Sequence, residues 1–150
     1  VGPSWELGPE DPWPRDFIAR LKTCFEQNGP EFVITFSGPL GAGKTTRIQQ
    51  LAADLGLNSA DFTSPTFLKL IEHRHGASRI LHLDLYRVDD SAELQRWGLG
   101  EEPAALTLVE WPELFFEAWR SSPHWKWDEH WHFELSGAHG GRLERRRLSQ

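Results

Sequence analysis

Gly38-Pro39-Leu40-Gly41-Ala42-Gly43-Lys44-Thr45-Thr46 fits the pattern G-x-x-x-x-G-K-[ST], a loop that cradles phosphate. Gly38 and Gly43 allow dihedrals that a Cβ would oppose, and they keep side chains out of the ligand's way. Successive amides, including those of Leu40, Gly41 and Ala42, then form an anion nest at the positive end of a following helix. Lys44 would reach the β- and γ-phosphates, the Thr45 hydroxyl would hold Mg²⁺, and Thr46 continues the cradle. Phosphate chemistry also needs an acid on the metal and a group that positions the attacking oxygen. Asp84 and Glu110 qualify, because Asp84 lies near the end of the apolar stretch 80–86 and Glu110 directly follows 106–109, and ligands of open α/β sheets lie beyond the carboxyl ends of the strands. Either acid could hold the metal while the other orients water. Thr66, after Ser64-Pro65, is placed to sense a γ-phosphate from a turn.

The elements needed to position these groups are legible around them. Glu31–Phe36 is β-branched and aromatic, a strand entering the loop. Thr46–Leu55 carries Ile48, Leu51, Ala52 and Leu55 at helical spacing and is closed by Gly56. Upstream, Phe17, Leu21, Cys24 and Phe25 predict a helix over 16–27, stopped by Gly29-Pro30. Downstream, Phe67–Glu72 and Arg79–Tyr86 read as strands able to pair as a hairpin. Asp90 caps a short helix with Leu94 and Trp97 inward, and Ala104–Val109 is a strand buried on both faces. Pro112 opens a helix to Arg120, and strands at Trp131–Leu135 and Arg142–Leu148 surround Gly137, Gly140 and Gly141. Strands alternating with helices predict an α/β fold with a mainly parallel central sheet and a C-terminal β-hairpin. Residues 1–15, rich in Pro and Gly, read as an irregular arm that Trp5 and Trp13 fold onto the body. Residues 16–150 read as one domain.

The chain has 150 residues, 39% of them apolar and 25% charged, which suits one globular core. Its net charge of −6 argues against a surface that grips nucleic acid unaided. Arg142, Arg145, Arg146 and Arg147 form the only basic cluster and are read as a solvated strand. Cys24 is the single cysteine, which removes disulfides and thiolate zinc sites and suits a reducing cytoplasm. No run reaches membrane-spanning length, and the first residues lack a signal-peptide pattern. His73/His75 and His130/His132 each share a strand face and are read as polar faces without a third metal ligand. His82 shares the face of Asp84 but is left outside the site. The tryptophans at 119, 125, 127 and 131 are read as peripheral core rather than a docking surface.

Gly41-Ala42-Gly43-Lys44-Thr45-Thr46, Ser64-Pro65-Thr66-Phe67, His82-Leu83-Asp84-Leu85-Tyr86-Arg87 and Val109-Glu110-Trp111-Pro112-Glu113 occur in one order over about 32–113. In motif, order and spacing the chain resembles the bacterial TsaE (YjeE) family. The resemblance implies a three-layer P-loop NTPase fold and an ATPase needed for N6-threonylcarbamoyladenosine at position 37 of tRNAs reading ANN codons. It implies ATP and Mg²⁺, partners TsaB and TsaD, and tRNA contacted indirectly through them. By the same resemblance, Lys44 and the loop amides bind phosphate, Thr45 and Glu110 coordinate Mg²⁺, and Asp84 serves hydrolysis. Ser64-Pro65-Thr66 would act as a switch, and Trp111 would lie near the nucleotide. Where the family carries Thr or Ser near the base, this chain reads Trp13-Pro14-Arg15-Asp16-Phe17. Two other classes fit a bare P-loop: a small-molecule kinase, in which Asp84 would accept a hydroxyl proton, and a nucleotide-gated binding module. A kinase usually adds an Arg-rich lid, whereas the segment from Tyr86 to Ala104 carries only Arg87 and Arg96. Arg87 is also the nearest candidate for an arginine finger.

Overall fold

In a computed structural model that describes residues 3–63, 69–122 and 124–147, the chain forms seven strands and four helices. Strand β1 is Ser4–Leu7, β2 Phe32–Ser37, β3 Leu70–His75, β4 Ser78–Asp84, β5 Leu106–Glu110, β6 Glu129–Gly137 and β7 Gly140–Arg146. The helices are α1 Arg15–Glu26, α2 Lys44–Asp54, α3 Ser91–Arg96 and α4 Glu113–Arg120. The strands build one mixed sheet, within an α/β fold, in the order β1-β7-β6-β2-β5-β4-β3. The four central strands, β6, β2, β5 and β4, run parallel, and the flanking pairs are antiparallel.

Side-chain alternation along the strands divides the core. On β2, Phe32, Ile34 and Phe36 pack with Phe17, Leu21, Ile48 and Leu51 of α1 and α2. Val33 points the other way, with Leu81, Leu83 and Val109, toward Leu94, Phe115 and Trp119 of α3 and α4. Helices thus cover both faces, and the loop after β2 opens between them at the carboxyl ends of the parallel strands. The predicted hairpins exist: β3 pairs antiparallel with β4, and β6 with β7. Trp119, Trp125, Trp127 and Trp131 are all buried, as the peripheral-core reading requires. Among the described residues no helix is long and apolar enough to cross a membrane.

Two expectations need correction. The N-terminal arm is not wholly irregular: Ser4–Leu7 adds an edge strand to β7, with Trp5 stacked on Trp131 at 5.8 Å. The arm's Trp13 is buried and packs on Phe17 at 5.7 Å. The second correction concerns His130 and His132, which are not on a polar face. Both are buried, and both rings bond the buried Thr35 hydroxyl, at 2.8 and 2.7 Å. Phe116 and Trp119 of α4 cover them.

Burial, helped by His132 and Arg146, pushes the His130 ring down to about 3. Burial and Arg146, opposed by Glu144, hold His132 at about 4. Unfolded histidines titrate near 6.5, so protons bind the unfolded chain first as pH falls. The stability contributed by the neutral rings is therefore complete above about pH 6.5. It is lost as pH falls from there toward the folded values, at up to about 1.4 kcal/mol per pH unit for each ring. Urea unfolding at pH 7 and pH 5 should show this drop, and the His130→Gln/His132→Gln double variant should show a flatter dependence. An unchanged slope would contradict the assignment.

Candidate functional site

The loop between β2 and α2 requires its glycines. At Gly38 φ is 145°, and a Cβ would lie 2.8 Å from the Leu135 carbonyl oxygen of β6. At Gly43 φ is 98°, directly before Lys44 opens α2. Here the sequence placed the helix start two residues late, at Thr46. The loop forms the floor of a cleft of about 660 Å³ lined by Leu40 through Thr46. Asp84, Tyr86, Arg87, Glu110 and Trp111 supply its wall from the ends of β4 and β5.

The two acids meet because their strands are neighbours. Asp84 is the last residue of β4, Glu110 is the last of β5, and they are register partners in the parallel pair. Glu110 is almost fully buried, and each of its oxygens is engaged. Oε1 accepts from the Thr45 hydroxyl at 3.0 Å, and Oε2 lies 2.7 Å from His82 Nε2. His82 is itself fully buried, so it belongs to the site as the group that orients Glu110. Its two-residue spacing from Asp84 was the available signal. Asp84 is half-buried and accepts from the Tyr86 amide at 3.1 Å.

Lys44 is buried against its own loop. Its Nζ donates to the Gly38 carbonyl at 2.6 Å and the Pro39 carbonyl at 3.0 Å, and lies 3.7 Å from the Trp111 ring centroid. Burial lowers the ammonium's pKa, while Glu110, Glu113, Asp84 and Glu134 oppose that shift. Trp111 adopts φ 58°, and His139, also on the pocket lining, adopts φ 68°. Left-handed backbone at such residues costs on the order of 1–3 kcal/mol and tends to concentrate at functional sites. Tyr86 packs on Trp111 at 4.9 Å and is half exposed at the rim.

Thr45 and Glu110 place two hard oxygens within 3.0 Å of each other beside the phosphate loop. Magnesium commonly binds through one or two protein oxygens, completed by phosphates and water. No cluster of three or more His, Cys, Asp or Glu suited to a metal occurs among the described residues. The pair therefore fits Mg²⁺ bound together with a nucleotide and not an all-protein cage. Thr46 also lines the cleft, whereas Ser64, Pro65 and Thr66 lie outside the described residues. His139, which lines the cleft, and Arg47, buried on α2 and donating to the His139 carbonyl, went unrecognised in the sequence.

A family model described as Threonylcarbamoyl adenosine biosynthesis protein TsaE matches residues 15–145. The chain belongs to the TsaE family. Similar proteins include the tRNA threonylcarbamoyladenosine biosynthesis protein TsaE of Synechocystis, 40% identical over 87 residues, 54% of this chain and 54% of that one. The TsaE of Bacillus subtilis is 38% identical over 102 residues, 67% of this chain and 61% of that one. The matched region thus spans little more than half the length of these curated TsaE relatives. The crystal structure of Bacillus subtilis YdiB shares the fold, with a TM-score of 0.53 at 24% identity, covering 97% of this chain and 84% of that one.

Proposed function

We propose that this TsaE-family chain is a three-layer P-loop NTPase that hydrolyses ATP with Mg²⁺. Its place is the formation of N6-threonylcarbamoyladenosine at tRNA position 37, in the cytoplasm, together with TsaB and TsaD. The observation that carries the enzymatic half is the Thr45–Glu110 oxygen pair, with Lys44 on one side and Asp84 in register on the next strand. The loop amides and Lys44 hold the phosphates, and Mg²⁺, when bound, draws charge from the β- and γ-oxygens. His82 fixes the carboxylate that receives the metal. Asp84 orients a water for in-line attack on the γ-phosphorus. The bond from that phosphorus to the bridging oxygen breaks, ADP departs, and inorganic phosphate and a proton are released.

The tRNA half rests on family membership, and the surface agrees with indirect contact. Arginines of the basic cluster are tied to carboxylates: Arg142 to Glu6 at 2.9 Å, Arg146 to Glu144 at 3.1 Å, and Arg145 3.8 Å from Glu129. The segment after Tyr86 favours hydrolysis over a lidded kinase, because α3 buries Leu94 in the core instead of standing over the loop. The decisive measurement is phosphate release by the full chain, alone and with TsaB and TsaD, beside threonylcarbamoyl transfer to tRNA. Slow turnover alone, raised by the partners, is expected. Rapid turnover indifferent to the partners would refute the coupled reading.

A further inference from the structure

Loop, metal pair and acids account for the phosphate end of a nucleotide and leave its nucleoside end without a partner. Sheet order supplies a direction. The phosphate loop follows β2, which has β5 on one side and β6 on the other. Glu110 and Asp84 occupy the β5 and β4 side, which is the reacting, metal-bound end. On the opposite side, the lining side chain from outside the loop is His139, in the turn between β6 and β7.

His139 is built against the loop rather than left to hang from a turn. Its amide donates to the Ala42 carbonyl at 3.0 Å. Its ring covers Gly43 so closely that a Cβ there would lie 2.1 Å from His139 Cδ2. Its carbonyl accepts from Arg47 Nε. Arg47 is fully buried, yet no ion pair to it occurs among the described residues, and its guanidinium goes to backbone carbonyls. Besides His139 it reaches Asp11 at 2.8 Å and Gly8 at 3.0 Å in the N-terminal arm. The Trp13 and Phe133 rings flank it at 5.7 and 5.4 Å. A buried cation without an ion pair is costly, and an apolar residue would suit this core position better. What the cation adds here is a fixed turn.

Building on the nucleotide-site reading, we infer that His139 contacts the base or ribose of the bound nucleotide and that Arg47 is the positioning residue that holds it there. The flat imidazole offers a stacking face and ring nitrogens to a nucleoside, and the Arg47 clasp ties its backbone to the phosphate helix.

Titration calorimetry of the full chain with Mg·ATP and with Mg·tripolyphosphate tests this, since tripolyphosphate lacks the nucleoside. His139→Ala should weaken ATP about tenfold and leave tripolyphosphate within twofold. Arg47→Met should show the same selective loss, and the double variant should bind no worse than the weaker single one, because both act through one contact. Should Arg47→Met fail to fold, His139→Ala with the two ligands still decides the nucleoside contact. Unchanged ATP affinity in His139→Ala, or equal loss of both ligands, overturns the proposal. Additive losses in the double variant overturn the role given to Arg47. If the unsubstituted chain binds neither ligand, the nucleotide-site reading itself falls, and this proposal with it.

Discussion

Replacing Lys44 with Ala should weaken ATP binding by about 100-fold or more while leaving the fold intact. A charge-assisted hydrogen bond contributes about 1.5–3 kcal/mol, and an ammonium bridging two phosphates makes two, so the loss reaches at least about two factors of ten. The same side chain contributes less to folding. Burial opposes its charged form, and its visible partners are two loop carbonyls and the face of Trp111. Removing it frees those carbonyls toward an open cleft, where water can satisfy them. Urea unfolding of Lys44→Ala should therefore stay within about 1 kcal/mol of the parent, the usual range for an interaction that water can replace. Calorimetry showing parental ATP affinity would remove the phosphate site from this loop. A collapse in stability would instead make Lys44 a structural cation.

The parts of this site that could be read from sequence are those whose chemistry is local. The glycines announce a backbone that a Cβ would obstruct, and Gly38 and Gly43 both have positive φ. Asp84 and Glu110 were visible because each terminates an apolar strand, so topology alone brings their carboxyl ends to the loop. What stayed hidden depends on distant segments. His130 and His132 alternate correctly onto one face, but whether that face is wet is decided by Phe116 and Trp119 on α4. Arg47 directly precedes the apolar position Ile48 on α2, and nothing local in the sequence marks it as buried. It is buried because the arm at Gly8 and Asp11 crosses it. The strand β1 alternates Ser-Trp-Glu-Leu over only four residues, too short a run to stand out among the prolines and glycines around it, and its pairing with β7 defines it. The same holds for His139, whose role depends on the register of the β6–β7 hairpin against the loop.

The second large effect separates the two acids. Asp84→Asn should retain ATP and lose hydrolysis by about 10²–10⁴-fold, the range set by a positioned acid or base. The amide is nearly isosteric and still offers the Tyr86 amide an acceptor, so the local turn is preserved. Glu110→Gln should also lose turnover, for a different reason. Its carboxylate is the charged half of the Thr45–Glu110 pair, and on the proposed Mg²⁺ role an amide in its place would weaken the hold on the metal. Raising the Mg²⁺ concentration should therefore recover part of the rate in Glu110→Gln and none in Asp84→Asn. Phosphate release measured across a Mg²⁺ series in both variants distinguishes the roles. Recovery in Asp84→Asn would exchange the assignments and put the metal on β4. If Asp84→Asn still binds ATP and loses hydrolysis while tRNA modification stays normal, hydrolysis is incidental, and the chain acts as a nucleotide-gated binding module.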